Sequence, residues 1–140
     1  MSITETPLYQ NVKSHEKTSL GNLFFFENYI VAEFFEGVEI NYNNFETVRE
    51  LIKEHFGNDS FGLISNRINS YSIVITDAPL FNQCESLKAY ATVTYSLFAE
   101  RVFNVENYFF KFNKQNFNSL TDAKVWVEDT LTIHTRQSLN

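Results

Sequence analysis

The feature that most constrains this chain is a pair of aromatic and β-branched runs near its N-terminus, in the stretch "SLGNLFFFENYIVAEFFEGVEI". Glu27 and Asn28 separate the two runs as a two-residue turn signal, so the pattern predicts a β-hairpin with strands over roughly residues 20–26 and 29–35. Apolar side chains alternate onto both faces of these strands, which is typical of strands that are covered on both sides. The hairpin therefore predicts a sheet with other elements packed over both faces.

Helical and strand patterns alternate along the rest of the chain. Because a hairpin followed by repeated helix–strand units forms one mixed sheet with helices packed on it, the predicted fold class is α/β. We expect a single mixed β-sheet of about five strands with four helices, in the order β-β-α-β-α-β-α-β-α. After the hairpin, helices are predicted from about 43 to 57, 77 to 84, 97 to 106 and from 119 onward, and strands at 61–66, 87–94 and 107–112.

The length of 140 residues suits one domain. Residues 1–18 are mostly polar and aperiodic, so we expect a loose N-terminal arm followed by a single domain over 19–136. The 11 lysines and arginines are scattered and the net charge is −6, which argues against a nucleic-acid partner and a polybasic membrane patch. No apolar run approaches the length of a transmembrane segment, and a cytoplasmic location is the simplest expectation.

Motifs for catalysis and metal binding are weak. The sequence has no Gly-x-Ser-x-Gly motif, its four glycines form no phosphate-binding loop, and Cys84 has no evident histidine partner. His15, His55 and His134 are far apart and start no short-spaced ligand cluster. We therefore expect no enzymatic activity, no metal site and no cofactor.

The stretch "FGLISNRINSYS" places polar groups where the predicted strand 61–66 ends. Ligand sites in open α/β sheets form at the carboxyl ends of strands, and an arginine fork with asparagine amides suits a carboxylate or phosphate. Candidate residues for binding a ligand or partner are therefore Asn66, Arg67, Asn69 and Tyr71, together with Asp77 at the start of the next helix.

A structural role for these residues is the alternative, and we favour it. Arg67 would then pair with a local acid such as Asp77 or Glu33, and the asparagines would close turns. Asp77 would be an ordinary N-cap.

The order of elements resembles that of STAS domains, and more closely that of their SpoIIAA-like relatives. The likeness covers about residues 20–132 and includes "FNSLTDAKVWV", which is similar to the F-x-S-x-x-x-A-x-x-W ending of small bacterial SpoIIAA-like proteins. The resemblance implies a non-enzymatic interaction or regulatory module that binds a protein partner or itself. We expect a homodimer on separate grounds, because Phe-rich strands with two apolar faces leave surface beyond what four short helices cover, and two-fold symmetry is the commonest solution. The serine that STAS regulators phosphorylate has no counterpart in the matching region 74–79, where Asp77 could instead supply a fixed negative charge at a helix N-terminus.

A second function stays open beside this one. SpoIIAA-like domains resemble the lipid-binding CRAL-TRIO fold, and the 15 phenylalanines could line a pocket for a small hydrophobic molecule or lipid instead of filling a core. A phenylalanine-lined cavity of several hundred Å³ would favour such a carrier, whereas a flat apolar patch at a symmetric contact would favour the interaction module.

Overall fold

A computed structural model describes residues 1–139 of the chain, with side chains over residues 1–133. The strands are β1 (Ser14–Lys17), β2 (Gly21–Phe25), β3 (Tyr29–Phe34), β4 (Glu39–Ile40), β5 (Phe61–Asn66), β6 (Ser72–Ile73), β7 (Leu87–Val93) and β8 (Lys114–Phe117). The helices are α1 (Glu46–Phe56), α2 (Ala78–Phe81), α3 (Leu97–Phe109) and α4 (Leu120–Leu139).

The main sheet has six strands in the order β1-β2-β3-β5-β7-β8, and the two short strands β4 and β6 pair with each other in a second sheet. The first three strands of the main sheet are antiparallel, and β3, β5, β7 and β8 run parallel.

The hairpin and the mixed α/β sheet with four helices are confirmed, but the sheet has six strands instead of about five. The additional strand, β1, comes from the segment for which the sequence predicts a loose arm, and that prediction is wrong. Ile3 has no exposed surface, and two 3-10 turns connect it to β1, which pairs with β2 along its length. A single buried isoleucine in a polar segment gives no periodic signal, so the pattern alone could not show the docking.

The strand predicted at 107–112 is also wrong, because α3 continues to Phe109 and the last strand lies at Lys114–Phe117. Phe103, Glu106 and Phe110 are all buried, at the spacing of one helix face. A glutamate occupies the middle of this stripe, so the apolar residues alone do not show the helical period. The polar sequence of β8 suits an edge strand, which carries a weak hydrophobic signal.

Two apolar layers cover the two faces of the sheet. One face packs against α4, whose Val127 is fully buried, and against the N-terminal segment. Gly62 on β5 permits this close approach, since a Cβ there would lie 2.4 Å from Cγ1 of Val127. The other face packs against α1 and α2 through a second cluster of phenylalanines and aliphatic residues, and α3 contacts the edge strand β8. No helix among residues 1–139 combines the length and the apolar character that crossing a bilayer requires.

Candidate functional site

Asn66 is the last residue of β5, and Arg67, Asn69 and Tyr71 lie in the turn that follows it, but the side chains of the four have largely different partners. Arg67 is buried, and its guanidinium donates to both carboxylate oxygens of Glu106 on α3, at 2.6 Å and 3.2 Å. It also donates to the carbonyl oxygen of Tyr71 at 3.3 Å and lies 4.2 Å from the centroid of the Tyr71 ring. The acid that pairs with Arg67 is therefore neither Asp77 nor Glu33, because α3 delivers Glu106 from a distant part of the sequence.

Asn66 meets the N-terminus of the chain. Its amide nitrogen donates to the carbonyl oxygen of Met1 at 3.0 Å and to the carboxylate of Glu33 at 2.7 Å. The same carboxylate accepts from Ser2 Oγ and from the backbone N–H of Ile3, both at 2.7 Å. Residues 1–3 thus lie over the strand end where an open α/β sheet would offer a ligand site.

The remaining candidates have internal partners as well. The amide of Asn69 donates to the carbonyl oxygen of Phe34 at 3.0 Å, and the buried hydroxyl of Tyr71 hydrogen-bonds Ser65 Oγ. Burial raises the pKa of the Tyr71 phenol, so it stays neutral at physiological pH. These contacts account for the polar groups of the turn, and a role of the turn in binding a ligand or partner stays a prediction.

Asp77 lies away from this turn. It occupies the N-cap position of α2, but its side chain makes no capping hydrogen bond, and α2 is only one turn long. Its carboxylate instead accepts from the backbone N–H of Tyr42 at 2.9 Å, so it ties the segment before α1 to the start of α2.

The histidines and the cysteine are dispersed. His15 stacks on Phe24, and a ring nitrogen of His55 lies 3.1 Å from the carbonyl oxygen of Phe26. The side chain of His134 lies outside the described residues. Cys84 is exposed.

A cavity of about 470 Å³ lies between α1, α2 and the sheet face opposite α4. Its wall includes the buried residues Ile40 and Leu63, and the exposed residues Asn58, Gln83 and Cys84 mark where it meets solvent. Aromatic side chains dominate the lining. Six of the 15 phenylalanines contribute, namely Phe34, Phe45, Phe61, Phe81, Phe110 and Phe112.

The charged groups of the cavity wall are all positive. Among the residues whose side chains are described, Arg49, Lys53 and Lys114 line the cavity, and no aspartate or glutamate does. The guanidinium of Arg49 donates to the carbonyl oxygen of Tyr42 and stacks on its ring at 3.8 Å, so it already has a hydrogen-bond acceptor and an aromatic partner. Lys53 is exposed at the C-terminal end of α1.

Lys114, like Arg49, is a half-buried cation of the wall. It lies on β8 opposite Tyr90 of β7, and its Nζ is 5.0, 5.1 and 5.4 Å from the ring centroids of Phe103, Tyr90 and Phe110. Within the part of the chain whose side chains are described, Nζ forms no hydrogen bond, and it is not sealed from solvent, since every fully buried side-chain nitrogen there has a partner. Burial lowers the pKa of Lys114 to about 8; Glu106 opposes this shift and Arg67 adds to it.

No family model matches the chain, and no curated protein matches it. A solved structure does: an uncharacterised protein of the DUF3478 family from Shewanella loihica PV-4, described as having a SpoIIAA-like fold. The alignment covers 81% of this chain and 90% of the other, with 14% identity and a TM-score of 0.50. The chain has a SpoIIAA-like fold. The resemblance drawn from the sequence is thus confirmed for the fold, and since the SpoIIAA-like neighbour is itself uncharacterised, function has to be inferred from the geometry.

The sequence did not single out Lys114 or the position of the cavity. The number of phenylalanines was the available signal, and it could not tell a lined cavity from a filled core. Lys114 lies just after the strand predicted at 107–112, so its side chain was assigned to no face of the sheet. With the strand at its actual position, alternation places Lys114 on the same face as Tyr90.

Proposed function

We propose that this chain is a non-enzymatic carrier of a small hydrophobic molecule, which it binds in the phenylalanine-lined cavity. The observation that carries the proposal is the cavity itself. Its volume of about 470 Å³ falls within the usual range of small-molecule sites, which is roughly 300–1,000 Å³. Its wall is aromatic and aliphatic with a few polar groups, which is the usual composition of such sites.

The packing of the cavity supports the same proposal. Phe34, Phe61 and Leu63 present side chains to the space from a sheet face whose opposite side is closely packed against α4. Apolar side chains that line a cavity open to solvent contact water instead of other apolar groups, which leaves part of the hydrophobic stabilisation unrealised. A bound apolar molecule would supply those contacts, so its binding should raise the free energy of unfolding.

A fluorescent fatty-acid analogue can test the proposal directly. We expect its emission to rise when it binds the wild-type protein, and we expect Ile52→Trp to abolish the rise, because Ile52 lines the cavity and the larger ring would fill it. The matched control is Val125→Trp, at an exposed position of α4 on the opposite side of the sheet. Equal binding to all three proteins would overturn the proposal.

Protein purified from its own host offers an independent test. Native mass spectrometry should show a retained small molecule on the wild-type chain and none on Ile52→Trp. Organic extraction of the purified sample should release the same molecule. An unliganded mass for the wild-type protein, together with no effect of any added hydrophobic ligand on its melting temperature, would contradict the carrier function.

Association with a second copy of the chain is the other candidate function, and α3 favours it. Its outward side carries Leu97, Phe98, Val105 and Tyr108, which are between 55% and 75% exposed; we call these four residues the α3 apolar face. They recur at helical spacing and form one stripe, whereas exposed apolar residues on a surface are usually scattered singly.

Two-fold symmetry is the commonest way for a chain to cover such a stripe with its own copy, and an antiparallel contact would place α3 against α3. Light scattering should then give twice the chain mass of 16.4 kDa. Phe98→Ser with Val105→Ser should return the mass to that of one chain, while leaving ligand binding in the cavity intact. A wild-type mass near 16.4 kDa at micromolar concentration would remove this function.

A further inference from the structure

We propose that the molecule bound in the cavity carries a carboxylate and that Lys114 binds this carboxylate inside the protein. The inference rests on the proposed carrier function and adds the chemical class of the ligand, an amphiphilic monocarboxylate such as a fatty acid. Binding of the carboxylate at Lys114 leaves the hydrogen-bond partners of the other residues unchanged.

The charges around Lys114 leave one positive charge without a counterion. Arg67 and Glu106 form a bidentate buried pair, so their charges compensate each other. The charges of both groups affect the pKa of Lys114, but within the described residues Lys114 forms no salt bridge with either. A half-buried charge without a partner costs free energy, and a ligand anion would provide the missing counterion.

The rings around Lys114 cannot replace that counterion. The faces of Phe103, Tyr90 and Phe110 attract an ammonium group at the observed distances of 5.0 to 5.4 Å. They accept none of its three N–H groups as a carboxylate oxygen would. A carboxylate at Nζ would therefore form hydrogen bonds that the protein does not supply, while the attached chain would lie against the phenylalanines of the wall.

The other cations of the wall explain why a single negative charge fits best. Arg49 is engaged with Tyr42 through a hydrogen bond and ring stacking. Lys53 is exposed to solvent, where an ion pair contributes little. Lys114 is thus the half-buried cation for which the described residues supply no hydrogen-bond acceptor, and a single ammonium group matches a monocarboxylate better than a phosphate dianion.

The acid–base properties of the site give a second readout. The titratable groups that influence Lys114 are Glu106 from α3 and Arg67 from the turn after β5, and the ring of Tyr90 from β7 faces its ammonium group. Burial raises the pKa of the Tyr90 phenol, so it stays neutral while Lys114 titrates. Because the pKa of Lys114 is lowered to about 8 in the empty protein, an anion that stabilises its charged form must raise that pKa. Binding at pH 8 should therefore take up protons.

The experiment compares dodecanoate with dodecanol, which share a chain and differ in the head. We expect the wild-type protein to bind dodecanoate about tenfold more tightly at pH 7, the effect of a hydrogen bond to a charged group. Lys114→Met should bind both ligands equally, and Lys114→Arg should restore the preference. Lys111→Met is the matched control, because Lys111 is exposed and precedes β8. Retained dodecanol binding shows that each variant is folded.

The outcomes separate the two proposals. Calorimetry of dodecanoate binding in two buffers of different ionisation enthalpy should show proton uptake at pH 8 for the wild-type protein and none for Lys114→Met. Equal affinity of the wild-type protein for both ligands, with no effect of Lys114→Met, would overturn the role of Lys114 and leave the carrier function standing. Failure of both ligands to bind the wild-type protein would overturn the carrier function itself.

Discussion

The guanidinium of Arg67 holds both carboxylate oxygens of Glu106, with Nη1–Oε1 at 2.6 Å and Nη2–Oε2 at 3.2 Å, and neither side chain is more than 7% exposed. The pair joins the turn after β5 to the inner face of α3. It also lies beside Lys114 and influences its charge. The arginine that the sequence indicates as a possible ligand-binding group therefore positions α3 next to the cavity.

Replacing Arg67 with alanine should lower the free energy of unfolding by about 3–5 kcal/mol, because the change leaves the charge of Glu106 buried and unpaired. Urea denaturation measures this loss. The combined change Arg67→Met and Glu106→Leu should recover most of it, since no buried charge remains. Arg101→Ala, at an exposed site on the same helix, is the control. A cost below about 1 kcal/mol for Arg67→Ala would show that the pair does not secure α3.

Replacing Ile3 with alanine should cost about 2–5 kcal/mol, because its side chain is fully buried against the sheet. Gln10→Ala, at an exposed position of the same segment, should leave stability within about 0.5 kcal/mol of wild type. Thermal melting followed by circular dichroism compares the three proteins. An unchanged melting temperature for Ile3→Ala would restore the expectation of a loose arm.

Replacing Gly62 with alanine should destabilise the chain by about 1–3 kcal/mol, because the added Cβ would lie 2.4 Å from Cγ1 of Val127 and α4 would have to move. Val127→Ala removes that methyl group. In a double-mutant cycle measured by denaturation, the two changes together should cost less than the sum of the single changes. Additive costs would mean that α4 does not pack directly on Gly62.

Stability should depend on pH through Lys114. Its pKa is lowered to about 8 in the folded chain from an ordinary value of 10.5, so between pH 8 and about 10 the unfolded chain binds more protons at this residue. Stability must then rise with pH across that window. The difference in unfolding free energy between wild type and Lys114→Met should shift in favour of wild type from pH 8 to 10. A constant difference would place the pKa of Lys114 at its ordinary value.

Local patterns were sufficient to predict the hairpin, α1 and the strands β5 and β7, because each has a regular apolar period bounded by turn residues. They were insufficient where a charged residue occupies a core position. Glu106 interrupts the apolar stripe of α3, and its ion pair with Arg67 compensates for burying its carboxylate. The N-terminal segment depends in the same way on long-range hydrogen bonds to Glu33.

The candidate site shows a related limit. The sequence placed Asn66, Arg67, Asn69 and Tyr71 correctly at a strand end, because strand polarity follows from the order of elements. It could not show that Met1 and Glu106 would engage two of them, since both partners come from distant parts of the chain. The hydrophobic pattern of the sequence could not predict the cavity, because its volume depends on how far α1 and α2 lie from the sheet.

Nuclear magnetic resonance can show whether a hydrophobic carboxylate occupies the cavity with its head at Lys114. Dodecanoate labelled with carbon-13 should show intermolecular Overhauser effects from its chain to the rings of Phe61 and Phe110. Its carboxyl carbon should shift on binding to wild type but not to Lys114→Met. Overhauser effects confined to the α3 apolar face, or no bound signal in the presence of excess protein, would show that the carboxylate does not bind in the cavity.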